Sequence, residues 1–234
     1  MPREVLADFP TTHATFLTVC LDTATAESLS EARNHLMARY RAPLVAYAAQ
    51  SRLATVDEPD ELVHGFFAAK VADARYLADW RASGIPLRRW MLNGLVFHAR
   101  GILRDRAREN ARSDGAEPEN LVSNTPDAEH AFERAWAFAL VEAACRAAYA
   151  TLDIDGRTRA YDCFHRHFFD GVSYAQLAVE CGLSESAVAG EVRLAMRRVR
   201  AEAESMLRDE IGTADGRAIA AELMRVRELT GWSV

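Results

Sequence analysis

Ser173-Tyr174-Ala175-Gln176-Leu177-Ala178-Val179-Glu180-Cys181-Gly182-Leu183-Ser184-Glu185-Ser186-Ala187-Val188 spells two short helices joined at a glycine corner. Ala178 is small where two helices must come close. Gly182 accepts the left-handed backbone that ends a helix, and Leu183 plugs the corner. Ser184 suits the N-cap of the next helix, with Glu185 and Ser186 in its first turn. Val188, Val192 and Met196 then recur at four-residue spacing and pack the second helix back on the first. Its outward face carries Arg193, Arg197, Arg198 and Arg200. This pattern predicts a helix-turn-helix, whose second helix has the shape to enter a DNA major groove. Two residues run against DNA contact: Glu191 repels phosphate, and a mid-helix Gly190 costs about 1 kcal/mol relative to alanine. An ordinary helical hairpin with a glycine corner is the plainer alternative.

Outward from this segment almost every periodic stretch has helical spacing, so an all-helical protein is expected. A long helix is predicted over residues 27–50, with Leu36, Tyr40, Leu44, Val45 and Ala48 as its apolar stripe and Pro43 bending or dividing it. Another begins at Glu58-Pro59-Asp60, where proline and acids favour a helix start. It carries Leu62, Val63, Phe66, Phe67 and Val71 on one face. Residues 80–86 contain Ser83-Gly84 and Pro86 and are expected to form a loop. A helix follows over 87–108, with Trp90, Met91, Leu95, Ile102 and Leu103 as core candidates. Residues 110–129 are rich in turn formers and poor in large apolar groups, the composition of a linker. Helices are expected again over 128–152, 157–168, 174–181 and 185–208. A final amphipathic segment at 217–229 carries Ile219, Leu223, Val226 and Leu229.

Composition narrows the function. The chain has 234 residues, is half hydrophobic and bears a net charge of −6, a normal balance for a globular protein. No apolar run is long enough to span a bilayer, and the N-terminus lacks a basic-then-apolar leader. Cys20, Cys145, Cys163 and Cys181 are scattered and form no Cys-x-x-Cys pair, so neither a disulfide framework nor a zinc site is expected. These features together predict a cytoplasmic protein. The overall charge disfavours a DNA-coating protein, but phosphate contacts are local and fields are screened within about 10 Å. The basic residues are arginines apart from Lys70, and arginine's planar fork suits phosphate and guanine.

No catalytic constellation is found. His13, His35, His98 and His130 show no partner spacing, and no phosphate-binding glycine loop or nucleophile elbow appears. Cys163, His165 and His167 do not share a helix face, so no metal is expected there. Asp153 and Asp155 around Gly156 are too few for calcium. No cofactor is expected, and the protein is expected not to be an enzyme.

The N-terminal half adds an acidic helix start, Asp57-Glu58-Pro59-Asp60-Glu61-Leu62-Val63-His64-Gly65-Phe66-Phe67. Trp80, Ser83-Gly84 and Pro86-Leu87-Arg88-Arg89-Trp90-Met91-Leu92 come next, then the basic run Arg100, Arg104, Arg106, Arg108 and Arg112. In this order the chain resembles the extracytoplasmic-function (ECF) sigma factors of the sigma-70 family. It looks closest to those opening with Phe-Pro-Thr-Thr (Phe9-Pro10-Thr11-Thr12), with Tyr-x-x-Pro-Leu (Tyr40 to Leu44) and Phe-x-Arg-x-Trp-Ala (Phe132 to Ala137). Where many members carry Ala-Arg-Asn, this chain has Leu95-Val96-Phe97, with Gly101 replacing an acid one turn later.

The resemblance implies two small helical domains, sigma region 2 and sigma region 4 with the helix-turn-helix, joined by a linker and followed by a C-terminal helical tail. The expected boundaries are an N-terminal extension at 1–26, region 2 at 27–109, the linker at 110–129, region 4 at 130–208 and the tail at 209–234. It implies that Asp57, Glu58, Asp60, Glu61 and His64 meet core RNA polymerase. Trp80 and Ser83, in the loop before Leu87, would hold a base flipped from the −10 strand, while Arg88, Arg89, Arg100 and Arg104 steady the backbone. Ser184, Ser186, Ala189, Arg193, Arg197 and Arg198 would read the −35 duplex. The implied partners are core polymerase, promoter DNA and an anti-sigma factor or other inhibitory partner, with the tail as a candidate clasp. The alternative is a helix-turn-helix regulator acting on DNA without polymerase, and a third reading is a helical interaction protein.

Overall fold

The computed structural model describes residues 13–111, 126–211 and 215–232, and every regular element among them is helical. Phe9 to Thr12 and most of the expected linker, residues 112–125, lie outside the described residues. The helices are α1 (His13–Thr23), α2 (Ala26–Gln50), α3 (Pro59–Phe66), α4 (Ala74–Ser83), α5 (Leu87–Ala111), α6 (Pro126–Ile154), α7 (Thr158–Phe168), α8 (Tyr174–Cys181), α9 (Glu185–Ile211) and α10 (Gly216–Thr230). A 3-10 turn at Arg52–Thr55 and a π-helical stretch at Phe67–Val71 complete the set.

The described chain forms two compact units. One comprises residues up to Ala139 together with 209–213; the other comprises Leu140–Arg208 and the residues from 214 onward. The division falls inside α6.

In the first unit α2 packs against α1, α3 and α5. Its Thr25 cap forms a capping box with Ser28, which satisfies two otherwise orphaned N–H groups. Pro43 does not divide α2. The helix runs through it, and the ring is buried beside Leu36, Tyr40, Leu44, Tyr47 and Ala48. Proline loses one backbone hydrogen bond, but here its ring supplies apolar surface to the buried stripe. The last turn of α9 adds Glu210 to this core, the buried charged residue of the described set at 7% exposure. Its carboxylate pairs with Arg39 at 3.2 Å and accepts a hydrogen bond from the buried Tyr40 hydroxyl. Burial, with the Glu210 charge behind it, raises the Tyr40 phenol well above its ordinary range.

Residues 80–83 do not form a loop. Asp73 caps α4 by accepting from Arg75 N–H at 2.9 Å, and α4 continues to Ser83 before Gly84 turns left-handed at φ 67°. Only residues 84–86 are non-helical. The break at Asp73 was hidden because the apolar pattern of α3 continues through Val71.

In the second unit α8 is held at its start by a Ser173–Gln176 capping box. At its end Gly182 sits at φ 64°, and Leu183 N–H reaches back to Ala178 C=O at 2.9 Å. That is the six-residue helix-ending bond that a left-handed residue makes possible. Ser184 then caps α9, accepting from Ala187 N–H at 3.2 Å. Cys163 of α7, Leu177 and Ala178 of α8, and Val188 and Val192 of α9 form one buried cluster, flanked by Leu183 and Met196. Full burial of each large aliphatic side chain contributes about 1.5–3 kcal/mol, so these contacts fix the angle between α8 and α9. The tail helix α10 belongs to this unit and buries Ile219, Leu223 and Val226.

Candidate nucleic-acid interface

Along α9, Val188, Val192, Ala195, Val199, Ala203 and Leu207 are buried. At 100° per residue the opposite face carries Ser186, Gly190, Arg193 and Arg197 in one stripe. Arg193 and Arg197 are exposed and make no ion pair among the described residues. The four-arginine face expected from the sequence narrows to these two. Arg198 lies on a flank with Glu202 at 3.9 Å, and Arg200 is bound to Glu204 at 2.8 Å. Both pairs have i,i+4 spacing, which brings side chains together on a helix surface. Ser184 is committed to its cap, Ser186 is exposed, and Ala189 is half-buried. A Cβ placed on Gly190 would meet open space, so the stripe offers a flat, uncrowded approach.

Glu191 does not face outward with the arginines. It is mostly shielded, at 18% side-chain exposure, and lies 3.6 Å from Arg159 and 4.0 Å from Arg157. Its charge is therefore largely balanced from outside α9.

A second stripe runs along α5. Leu87, Met91, Leu95 and Ala99 are buried, and the opposite face presents Asn93, Phe97, Arg100, Arg104 and Arg108. Phe97 is 60% exposed, and the Arg100 guanidinium lies 5.4 Å from its ring centroid. Arg104 is exposed and, like Arg100, makes no ion pair among the described residues; Arg108 contacts Asp105 at 3.5 Å. An exposed aromatic ring with a guanidinium beside it, and a second further along the same helix face, can stack an unpaired base and hold its phosphates. Sequence reasoning missed Phe97. Its signal was available in the helical spacing 97, 100, 104 within the basic run.

Four residues expected at a melted strand are otherwise engaged. Arg88 is only 20% exposed, sits 4.2 Å over the ring of the buried Trp136, and pairs with Glu133 at 3.4 Å. A desolvated cation–π contact contributes about 2 kcal/mol, so Arg88 is a packing residue between α5 and α6. Arg89 reaches Glu129 at 3.2 Å but remains half-exposed. Trp80 donates its indole N–H to Ile85 C=O at 3.0 Å. Ser83 donates to Trp80 C=O at 2.7 Å and accepts from Ile85 N–H at 3.1 Å. Trp80 and Ser83 thus hold the shape of the 84–86 connection.

The acidic cluster is split. Asp60 pairs with Arg41 at 2.8 Å. Asp57 lies 3.9 Å from Arg106 and accepts from Glu58 N–H. Glu58 and Glu61 are exposed at the start of α3, and His64 is exposed in its last turn. The three residues weighed for a metal also separate. Cys163 lies in the core, His165 reaches Asp170 at 3.7 Å, and His167 bonds Val172 C=O at 2.9 Å.

No helix among the described residues is long and apolar enough to cross a membrane. The chain matches no family model, no curated protein and no solved structure.

Proposed function

We propose that the chain is an RNA polymerase sigma factor of the ECF type, a promoter-recognition subunit whose mechanism is wholly non-covalent. The observation that carries this reading is a pair of open arginine stripes on separate helices, each set opposite a buried face. Arg193 and Arg197 extend from a capped, glycine-cornered helix pair, the arrangement that delivers a helix to duplex DNA. Arg100 lies beside an exposed aromatic ring and Arg104 follows on the same helix face, the arrangement suited to a single strand. One protein that handles both duplex and opened DNA fits promoter melting better than operator binding alone.

On this reading residues 27–109 act as sigma region 2 and residues 130–208 as sigma region 4. The exposed Glu58, Glu61 and His64 offer a charged edge to core polymerase, Phe97 with its arginines meets the −10 strand, and α9 meets the −35 duplex. An inhibitory partner and a regulatory role for α10 belong to the same proposal. Run-off transcription with purified core polymerase on a promoter library tests it. Promoter-specific transcripts that require this protein support the reading. Tight duplex binding without effect on polymerase would instead establish the helix-turn-helix regulator.

A further inference from the structure

Two thiols meet beside the helix-turn-helix corner. Cys163 on α7 is 1% exposed and lies in the cluster that seats Val188 and Val192. Cys181 is the last residue of α8, half-buried, one position before Gly182. Cys181 packs against that same cluster. Both line a cleft of about 510 Å³ within the second unit, whose wall includes the exposed Tyr149, Arg159 and His165. The other cysteines are placed differently: Cys145 and Cys20 are both buried, and Cys20 lies in the first unit.

We propose that Cys163 and Cys181 form a reversible thiol–disulfide pair, oxidised by a small hydroperoxide that enters this cleft. The partly exposed Cys181 sulfur loses its proton to solvent and attacks a peroxide oxygen. A sulfur–oxygen bond forms, the oxygen–oxygen bond breaks, and hydroxide leaves to combine with the released proton as water. Cys163 sulfur then attacks Cys181 sulfur. The sulfur–sulfur bond forms, the sulfur–oxygen bond breaks, and the departing hydroxide takes the Cys163 proton as a second water. Two electrons pass from the two sulfurs to the peroxide. A dithiol reductant reverses the change by thiol–disulfide exchange. Burial, and then the neighbouring Cys181, push the Cys163 thiol up to about 11, so Cys163 acts as the resolving partner rather than the first nucleophile.

The disulfide requires its sulfurs about 2.05 Å apart, closer than two unbonded sulfurs in van der Waals contact. Oxidation therefore draws the last turn of α8 toward α7, immediately before the Gly182 corner and against Val188 and Val192. The α8–α9 angle changes as a result. Its consequence for DNA rests on the function proposed above; formation of the bond does not.

The full-length protein is treated with hydrogen peroxide, denatured, alkylated and mapped by mass spectrometry. The expected result is loss of two of the four alkylatable thiols, a linked Cys163–Cys181 peptide, and recovery of both thiols with dithiothreitol. Cys181→Ser, at a partly exposed position, should keep its three remaining thiols alkylatable. Four free thiols after peroxide, a linkage through Cys20 or Cys145, or a dimer joined through Cys181 would each overturn the proposal. DNA retention is measured on the same samples, with loss expected on oxidation of the wild type and none for Cys181→Ser. A mapped Cys163–Cys181 bond in a protein that supports no promoter-specific transcript with core polymerase in either state would uphold the pair and reject the proposed function.

Discussion

Replacing both Arg193 and Arg197 by alanine should flatten the salt dependence of duplex binding by a calculable amount. Each arginine that neutralises a phosphate contributes about 0.9 to the slope of log affinity against log salt. Both are exposed and without ion pairs among the described residues, so the double variant should lose about 1.8 from the slope. Between 50 and 200 mM salt, the wild type should then weaken about tenfold more than the variant. The structure supplies the control. Arg198→Ala removes a guanidinium held near Glu202 at 3.9 Å, so its slope should change by well under half of one contact. Fluorescence anisotropy on a selected promoter duplex, titrated with potassium chloride, gives the three slopes. An unchanged slope in the double variant, or an Arg198→Ala change as large as that of Arg193→Ala, would refute the assignment of the α9 stripe to phosphate.

Phe97→Ala should weaken retention of single-stranded −10 DNA by about 1–3 kcal/mol, the usual contribution of one stacked base, while leaving duplex binding through α9 unchanged; parallel anisotropy titrations distinguish the two. Gly94→Ala should destabilise the fold by about 1–3 kcal/mol, because its Cβ would lie 2.0 Å from the Tyr76 hydroxyl and 2.9 Å from the Phe66 ring. Gly190→Ala, which meets open space, should instead stabilise it by up to about 1 kcal/mol; urea unfolding of both variants tests this contrast. His35 is held down at about 4, chiefly by burial and then by the Arg39 charge. Its folded value lies below the unfolded one, so its contribution to stability is present above about pH 6.5 and is lost as pH falls toward 4. His35→Gln should reduce the difference in urea midpoint between pH 7 and pH 4.5, and an undiminished difference would exclude His35 as its source.

Much of the second unit was legible in the residues because its signals are local. Ser173, Gly182 and Ser184 each act on the backbone within a few positions, and α8 begins and ends where they place it. The outward arginines were less legible. A helical wheel separates Arg193 from Val192, but it does not show that Glu202 and Glu204 engage Arg198 and Arg200. Arg88 illustrates the same limit over a longer range. Its partners Glu133 and Trp136 lie more than forty positions away in the chain, and no local pattern links them. The reverse held at Pro43, where the local rule for a helix break was sound but tertiary burial of the ring outweighed it. Leu95-Val96-Phe97 became meaningful only with burial known, since two of its members are core and the third is exposed.

The contacts of Glu191 give α7 an indirect influence on whatever α9 touches. Arg157 and Arg159 act as an electrostatic shield, and they do so from a different helix. Removing them would leave the Glu191 carboxylate unbalanced on α9 without altering any residue of the arginine stripe. If α9 meets DNA as proposed, its affinity is adjustable through its other faces, and a substitution outside the stripe can mimic the loss of a direct contact.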